Sequence, residues 1–350
     1  MHRRQFLMAG AAAGALAGVG SFAHRARAAR PFTFTSWGGA LSDAEKSAFT
    51  QPFAEKKGIE IINASPTETA KIRAMVQANA VEWDLVDVGG RTVWQGAKDG
   101  FLEALDLSKI PNAKNLDPKW VAPNGVATST GATIFAWSTT AFPEAGPQSW
   151  ADFWDVKRFP GPRGLYKYFY YNYEAALLAA GLKPDEVFPY TKEKADMALG
   201  KIKELKPNVA VFWSAGAQPP QLLTSGELAL SSAWSGRVLA AVAEKAPVGY
   251  TYKDGIAWAN WWVIPKGSPH AAVAHELIDF ALAEEQQEKM LALKTYGPVL
   301  GSATAKADAE TKKILVMDPD NIQHMLILNE EEADKYSREY EEAWNQLMLG

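Results

Sequence analysis

Pro31-Phe32-Thr33-Phe34-Thr35-Ser36-Trp37-Gly38-Gly39 opens the stretch whose reading decides the fold. Phe32 and Phe34 alternate with threonines, the period-two pattern of a strand with one buried face, and two glycines end it. Ser42-Asp43-Ala44-Glu45 reads as a capping box, so a helix runs from there toward Lys57 and stops at Gly58. A second short strand at 60–63, a helix at 69–80 and a strand at 84–88 halted by Gly89-Gly90 complete a β-α-β-α-β unit. Such a unit is one half of an open parallel sheet, with ligands beyond the carboxyl ends of its strands.

The alternation continues to the end of the chain. Strands at 132–137, 165–170, 209–213, 228–233 and 257–264 are interleaved with helices near 150–154, before Gly181, and at 191–206 and 236–245. Ser268-Pro269 starts a further helix in the N-cap and N1 manner. A last helix at 331–349 places Tyr336, Tyr340, Trp344 and Leu347 on one face. The fold class is α/β, and 350 residues at roughly 150 per domain give two domains.

Composition narrows the function. With 47% hydrophobic residues and 22% charged, the chain is not disordered. The absence of cysteine excludes disulfide scaffolds, thiolate metal sites and cysteine nucleophiles. The first 28 residues hold Arg3, Arg4, Arg25 and Arg27 and no acid, so the rest stands at −8, four below the −4 of the full chain. An acidic chain lacks the basic face that phosphate contacts need, so no nucleic-acid partner is expected. Arg3-Arg4, a weakly apolar Ala/Gly stretch and Ala26-Arg27-Ala28 together read as a twin-arginine export signal at 1–28, cleaved near Ala28. The expected location is the periplasm.

Catalytic constellations are missing. His2 and His24 leave with the signal, and His270 and His275 are five apart, off the i, i+4 spacing of a helical zinc pair. There is no nucleophile elbow and no phosphate-cradling loop. Glu284-Glu285 and Glu330-Glu331-Glu332 read as solvated helix faces. Tyr170-Tyr171 raises a tyrosinate iron site, against which stands ordinary packing of a tyrosine-rich strand end. We expect no metal, no cofactor and no enzyme; an exported α/β enzyme is the alternative of another class. The 13 tryptophans remain. Any one of them can be core, but Trp37, Trp234 and Trp258 fall at or near strand ends beside glycine turns or in an aromatic cluster. A ring over an ammonium contributes about 0.5–2 kcal/mol, so several could offset much of its desolvation.

Ser36-Trp37-Gly38-Gly39, Trp83-Asp84-Leu85-Val86-Asp87, Ala233-Trp234-Ser235-Gly236-Arg237, the run from Trp258-Ala259-Asn260-Trp261-Trp262 to Gly267, and Tyr296-Gly297-Pro298 carry a resemblance. Over the whole mature chain it resembles the periplasmic solute-binding proteins of ABC importers, in the spermidine/putrescine-binding branch. The resemblance implies two doubly wound lobes with a ligand cleft between them, the type II periplasmic binding protein fold. Lobe 1 would comprise 29–136 plus 261–302, and lobe 2 137–260 plus 303–350. It implies Ser36, Trp37, Arg91, Tyr171, Glu174, Trp234, Arg237, Trp258, Asn260 and Tyr296 as ligand-binding residues. The implied partners are a small amine or amino-acid-like ligand and an inner-membrane permease, and the protein is expected to be a monomer. Polyamine binders have an aspartate where this chain has Asn260, while Arg91 and Arg237 add positive charge. The resemblance implies a polyamine as the ligand; these departures make an ω-amino acid such as 4-aminobutyrate the alternative, because arginine's fork suits a carboxylate.

Overall fold

The alternating phenylalanines do start a core. In the computed structural model, which describes residues 30–349, β1 (Phe32–Thr35) buries both of them. It runs parallel to β2 (Ile61–Ala64) and β3 (Leu85–Gly89). The expected export signal and its cleavage site lie outside the described residues. Helices α1 (Gly39–Glu45), α2 (Gln51–Lys57) and α3 (Thr69–Gln77) connect these strands, and α4 (Gly90–Asp99) follows them.

One local reading is corrected. The helix after β1 begins at Gly39, so Ser42 lies inside its first turn, where Oγ accepts the Gly38 N–H at 2.8 Å. Glu45 does not reach back as a capping box requires; it is carried fully into the interior. A π turn at Lys46–Thr50 joins α1 to α2, and Gly58, at φ 64°, closes the run.

Next come β4 (Val121–Ala122) and the 14-residue β5 (Gly125–Ser138), longer than its expected 132–137 core because it serves two cores at once. The following elements are α5 (Trp150–Trp154), β6 (Arg163–Tyr166), α6 (Asn172–Ala179), α7 (Lys192–Leu205), β7 (Val209–Trp213), α8 (Gln218–Ser225), β8 (Leu230–Trp234), α9 (Ser235–Ala243) and β9 (Val248–Tyr250). The chain then returns through β10 (Ile256–Val263), α10 (Ala271–Ala281), α11 (Glu284–Ala292), β11 (Gly297–Pro298) and α12 (Gly301–Ala305). It ends with α13 (Ala309–Ile314), α14 (Pro319–Ile322), β12 (Leu326–Ile327), α15 (Glu330–Lys335) and α16 (Ser337–Leu349). The expected single last helix is thus two, and Tyr340 and Trp344 of the second are buried.

The strands order as β2-β1-β3-β10-β5-β8-β6-β7. Both ends of this row are parallel, but β10 runs antiparallel to β3 and β5, and β5 antiparallel to β8, so the middle of the sheet is mixed. Phe34, Phe49, Val86, Val126 and Trp262 share one core; Phe135, Trp150, Leu177, Ile202, Ile256 and Trp344 share another. β5 and β10 feed both, pairing with each other through the crossing. That pairing carries a bulge: Asn260 faces Ser129 and Trp261 faces Ala127, leaving Thr128 extra. The Thr128 carbonyl accepts from Nε2 of the buried Gln287 at 3.1 Å, and Gln287 Oε1 accepts the Val299 N–H at 2.9 Å.

Candidate functional site

The aromatic residues from the strand ends form a connected chain of rings. Trp37 follows β1, and its ring meets Trp234, the last residue of β8, edge-on at 5.8 Å between centroids. Trp234 in turn meets Trp213 at 5.4 Å and Tyr166 at 5.7 Å. Tyr166 lies 6.1 Å from Tyr171, and Tyr171 6.3 Å from Trp258. Tyr171 is held at φ 67°, a left-handed conformation costing roughly 1–3 kcal/mol for a bulky residue, as the residue before α6. Trp258 lies over Gly131, where a Cβ would collide with its ring, and its Nε1 donates to Thr133 Oγ1 at 3.1 Å.

Arg237 links the two sets of elements. It begins in the first turn of α9, and Nη2 donates to the Gly38 carbonyl in the turn after β1. Gly39, at φ 55°, is required there, since a Cβ would collide with the guanidinium. Arg237 is 8% exposed, and its Nε, like the Trp234 Nε1, has no acceptor among the described residues. Tyr296 packs against Gly236 beside it; burial pushes its hydroxyl up to about 12, against the pull of Arg237.

Sequence reasoning missed two groups here. Asp87 of β3 accepts from Trp37 Nε1 at 2.9 Å, and Glu45 accepts from Ser36 Oγ and from Trp262 Nε1, the latter at 2.9 Å. Both carboxyl groups are fully buried, and burial raises both; the neighbouring Glu45 lifts Asp87 further. Asp87 was hidden in an apolar strand and Glu45 in an apparent surface cap. The tryptophan flanking the first strand was the one signal that pointed near them.

The remaining candidates are placed as follows. Asn260 is buried and donates to Ser129 Oγ at 3.0 Å. Glu174 is turned inward, where the Tyr190 hydroxyl donates to it and burial raises its pKa. Arg91 pairs with Glu341 at 3.2 Å and lies over Phe169 and Tyr170. Its backbone N–H donates to Glu330 at 2.9 Å; Glu330 is half-buried, and desolvation of its carboxyl pushes it up to about 8. Glu330 was expected on a solvated face and is half-buried, with its carboxyl against Gly90. Tyr170, considered as an iron ligand, has its hydroxyl 3.4 Å from that of Tyr166, and burial raises it to about 12, unsuited to a tyrosinate. No cluster of three His, Asp or Glu suited to a metal occurs among the described residues. A wide groove of about 880 Å³ elsewhere, between Trp120 and Asp318, contains none of these side chains.

Residues 48–317 match the family model described as bacterial extracellular solute-binding protein. The gamma-aminobutyric acid-binding protein of Pseudomonas aeruginosa is 33% identical over 329 residues, covering 93% of each chain. Spermidine/putrescine-binding periplasmic protein 1 of Haemophilus influenzae is 29% identical over 249 residues, covering 68% of each. A solved ABC transporter substrate-binding protein from Bradyrhizobium japonicum superposes with a TM-score of 0.85 at 34% identity, over 91% of this chain and 99% of that one.

Proposed function

The chain belongs to the bacterial extracellular solute-binding proteins, and on that premise we propose that it captures an ω-amino acid such as 4-aminobutyrate for an ABC importer. It is a binding protein, not an enzyme. The observation that carries the ligand reading is Arg237: a buried guanidinium with an unpartnered Nε, beside Trp37 and Trp234. Arginine's fork suits a carboxylate, and aromatic faces suit an ammonium, so one ligand with both ends fits the pair. The relative from Pseudomonas aeruginosa supports the same choice.

Capture then follows from the connections described. Arg237 already reaches from α9 to the Gly38 carbonyl, so a carboxylate held by it is drawn against the turn after β1. Closure is a hinge motion about the β5–β10 crossing, with lobes at 29–136 plus 261–302 and 137–260 plus 303–350. A permease in the inner membrane would take the ligand from the closed form. We assign the chain to the periplasm as a monomer, exported by the twin-arginine signal and cleaved near Ala28.

Polyamines are the second reading, favoured by the run of aromatic rings and by the buried acids Glu45 and Asp87. The polyamine-binding relative supports it at lower identity. Calorimetric titration separates the two. Micromolar binding of 4-aminobutyrate with putrescine and spermidine in the millimolar range is the expected result. The reverse order overturns the ω-amino acid in favour of a polyamine.

A further inference from the structure

Glu45 and Asp87 present four carboxyl oxygens to three donors. Ser36 Oγ and Trp262 Nε1 serve Glu45, and Trp37 Nε1 serves Asp87 Oδ1. Asp87 Oδ2 has no donor among the described residues, although neither carboxyl is exposed to water. No ion pair with a cation reaches either group among the described residues. The two carboxyls lie within hydrogen-bonding reach of each other. Two adjacent buried carboxylates cannot both be ionised at acceptable cost, and one proton between them supplies the missing donor.

The pair is also wired to the aromatic chain. Asp87 holds the Trp37 indole by its N–H, so a negative Asp87 pushes electron density onto the ring face that a cation would approach. The other titratable groups facing the pair are Tyr296, whose charge interacts with both acids, and Arg237, which interacts with Tyr296. Tyr296, raised to about 12, does not change charge near neutral pH, and nor does an ω-amino acid.

We propose that Glu45 and Asp87 share one proton and act through Trp37 as the negative pole for a cationic head group, releasing that proton to solvent when the cation binds. One positive charge enters as another leaves. The inference rests on the amine reading above. Asp87 and Glu45 are positioning residues in it, since Trp37 makes the contact.

The test is calorimetry of the wild-type protein with 4-aminobutyrate, putrescine and spermidine between pH 6 and 8. Each pH is run in two buffers of different ionisation enthalpy, which counts protons. Binding should release up to one proton, with affinity rising by up to tenfold per pH unit. Asp87→Asn should weaken binding about tenfold and flatten the pH profile, and Asp87→Glu should restore part of the slope. Glu45→Gln should flatten it too, which serves if Asp87→Asn fails to fold; the wild-type proton count needs no variant. Tight binding with no proton release and a flat profile overturns the shared proton and leaves the amine reading standing. No binding of any of the three ligands overturns both.

Discussion

A half-buried carboxyl, Glu330, and a fully buried pair, Glu45 and Asp87, show how differently one chain can use the same costly group. Glu330, on the first turn of α15, accepts the Arg91 N–H at the start of α4, the positive end of that helix. It fastens the C-terminal segment to the start of α4 through that backbone N–H. Glu45 and Asp87 are held by Ser36, Trp37 and Trp262, side chains that continue into the ring chain. The first carboxyl takes its donor from the backbone at the start of α4. The second leaves Asp87 Oδ2 without a donor, and Arg237 Nε and Trp234 Nε1 likewise lack acceptors among the described residues. An acid held by backbone reports on stability, and one held by a ring wall reports on binding.

That contrast breaks if variants around Trp37 and Arg237 change stability instead of affinity. The largest effect is expected from Arg237→Ala, about 2–5 kcal/mol lost toward 4-aminobutyrate by calorimetry, with putrescine spared. Trp234→Ala should cost about 1–3 kcal/mol toward either ligand while circular dichroism stays native; a collapsed chain would make Trp234 a core residue. The other acid should do the opposite. Glu330, at about 8 when folded against an ordinary 4.5, keeps a proton that the unfolded chain has lost between those pH values. Its contribution to stability is therefore present below about pH 4.5 and lost as pH rises through 8, on the order of 1–3 kcal/mol. Glu330→Gln should flatten that decline in melting temperature and leave ligand affinity unchanged. The smallest effect is expected from Asn260→Asp, about 1 kcal/mol in favour of putrescine, read by competition titration.

The sequence was legible where a physical signal is local. The alternation of Phe32 and Phe34, and the Gly89-Gly90 stop after β3, mark their strands because one face is buried and the end must turn. Trp37, Trp234 and Arg237 could be picked out as candidates because they adjoin strand ends and glycine turns, and the structure brings the two rings together and Arg237 to Gly38. β5 was seen only in its second half: Gly125–Ser138 is buried on both faces, so its small residues show no alternation. Glu45 was misread because its spacing from Ser42 matches a cap, and only tertiary packing reveals that the helix starts earlier. Asp87 carries no local signal at all, since its role depends on Trp37, 50 positions away.

The bulge at Thr128 has a mechanical corollary. Gln287 holds the spare carbonyl of the crossing strand with its amide nitrogen and the Val299 N–H with its amide oxygen. Those two bonds make one glutamine a linkage between the bulge and the segment that carries Tyr296, three residues before Val299. If the crossing strand turned at Thr128, the segment beside Tyr296 would have to move with it or give up these bonds and its pairing with β5. Gly297 and Pro298 pair with Thr130 and Ser129 of β5 as well, so backbone and side-chain amide together tie the Tyr296 segment to the strand that crosses the sheet.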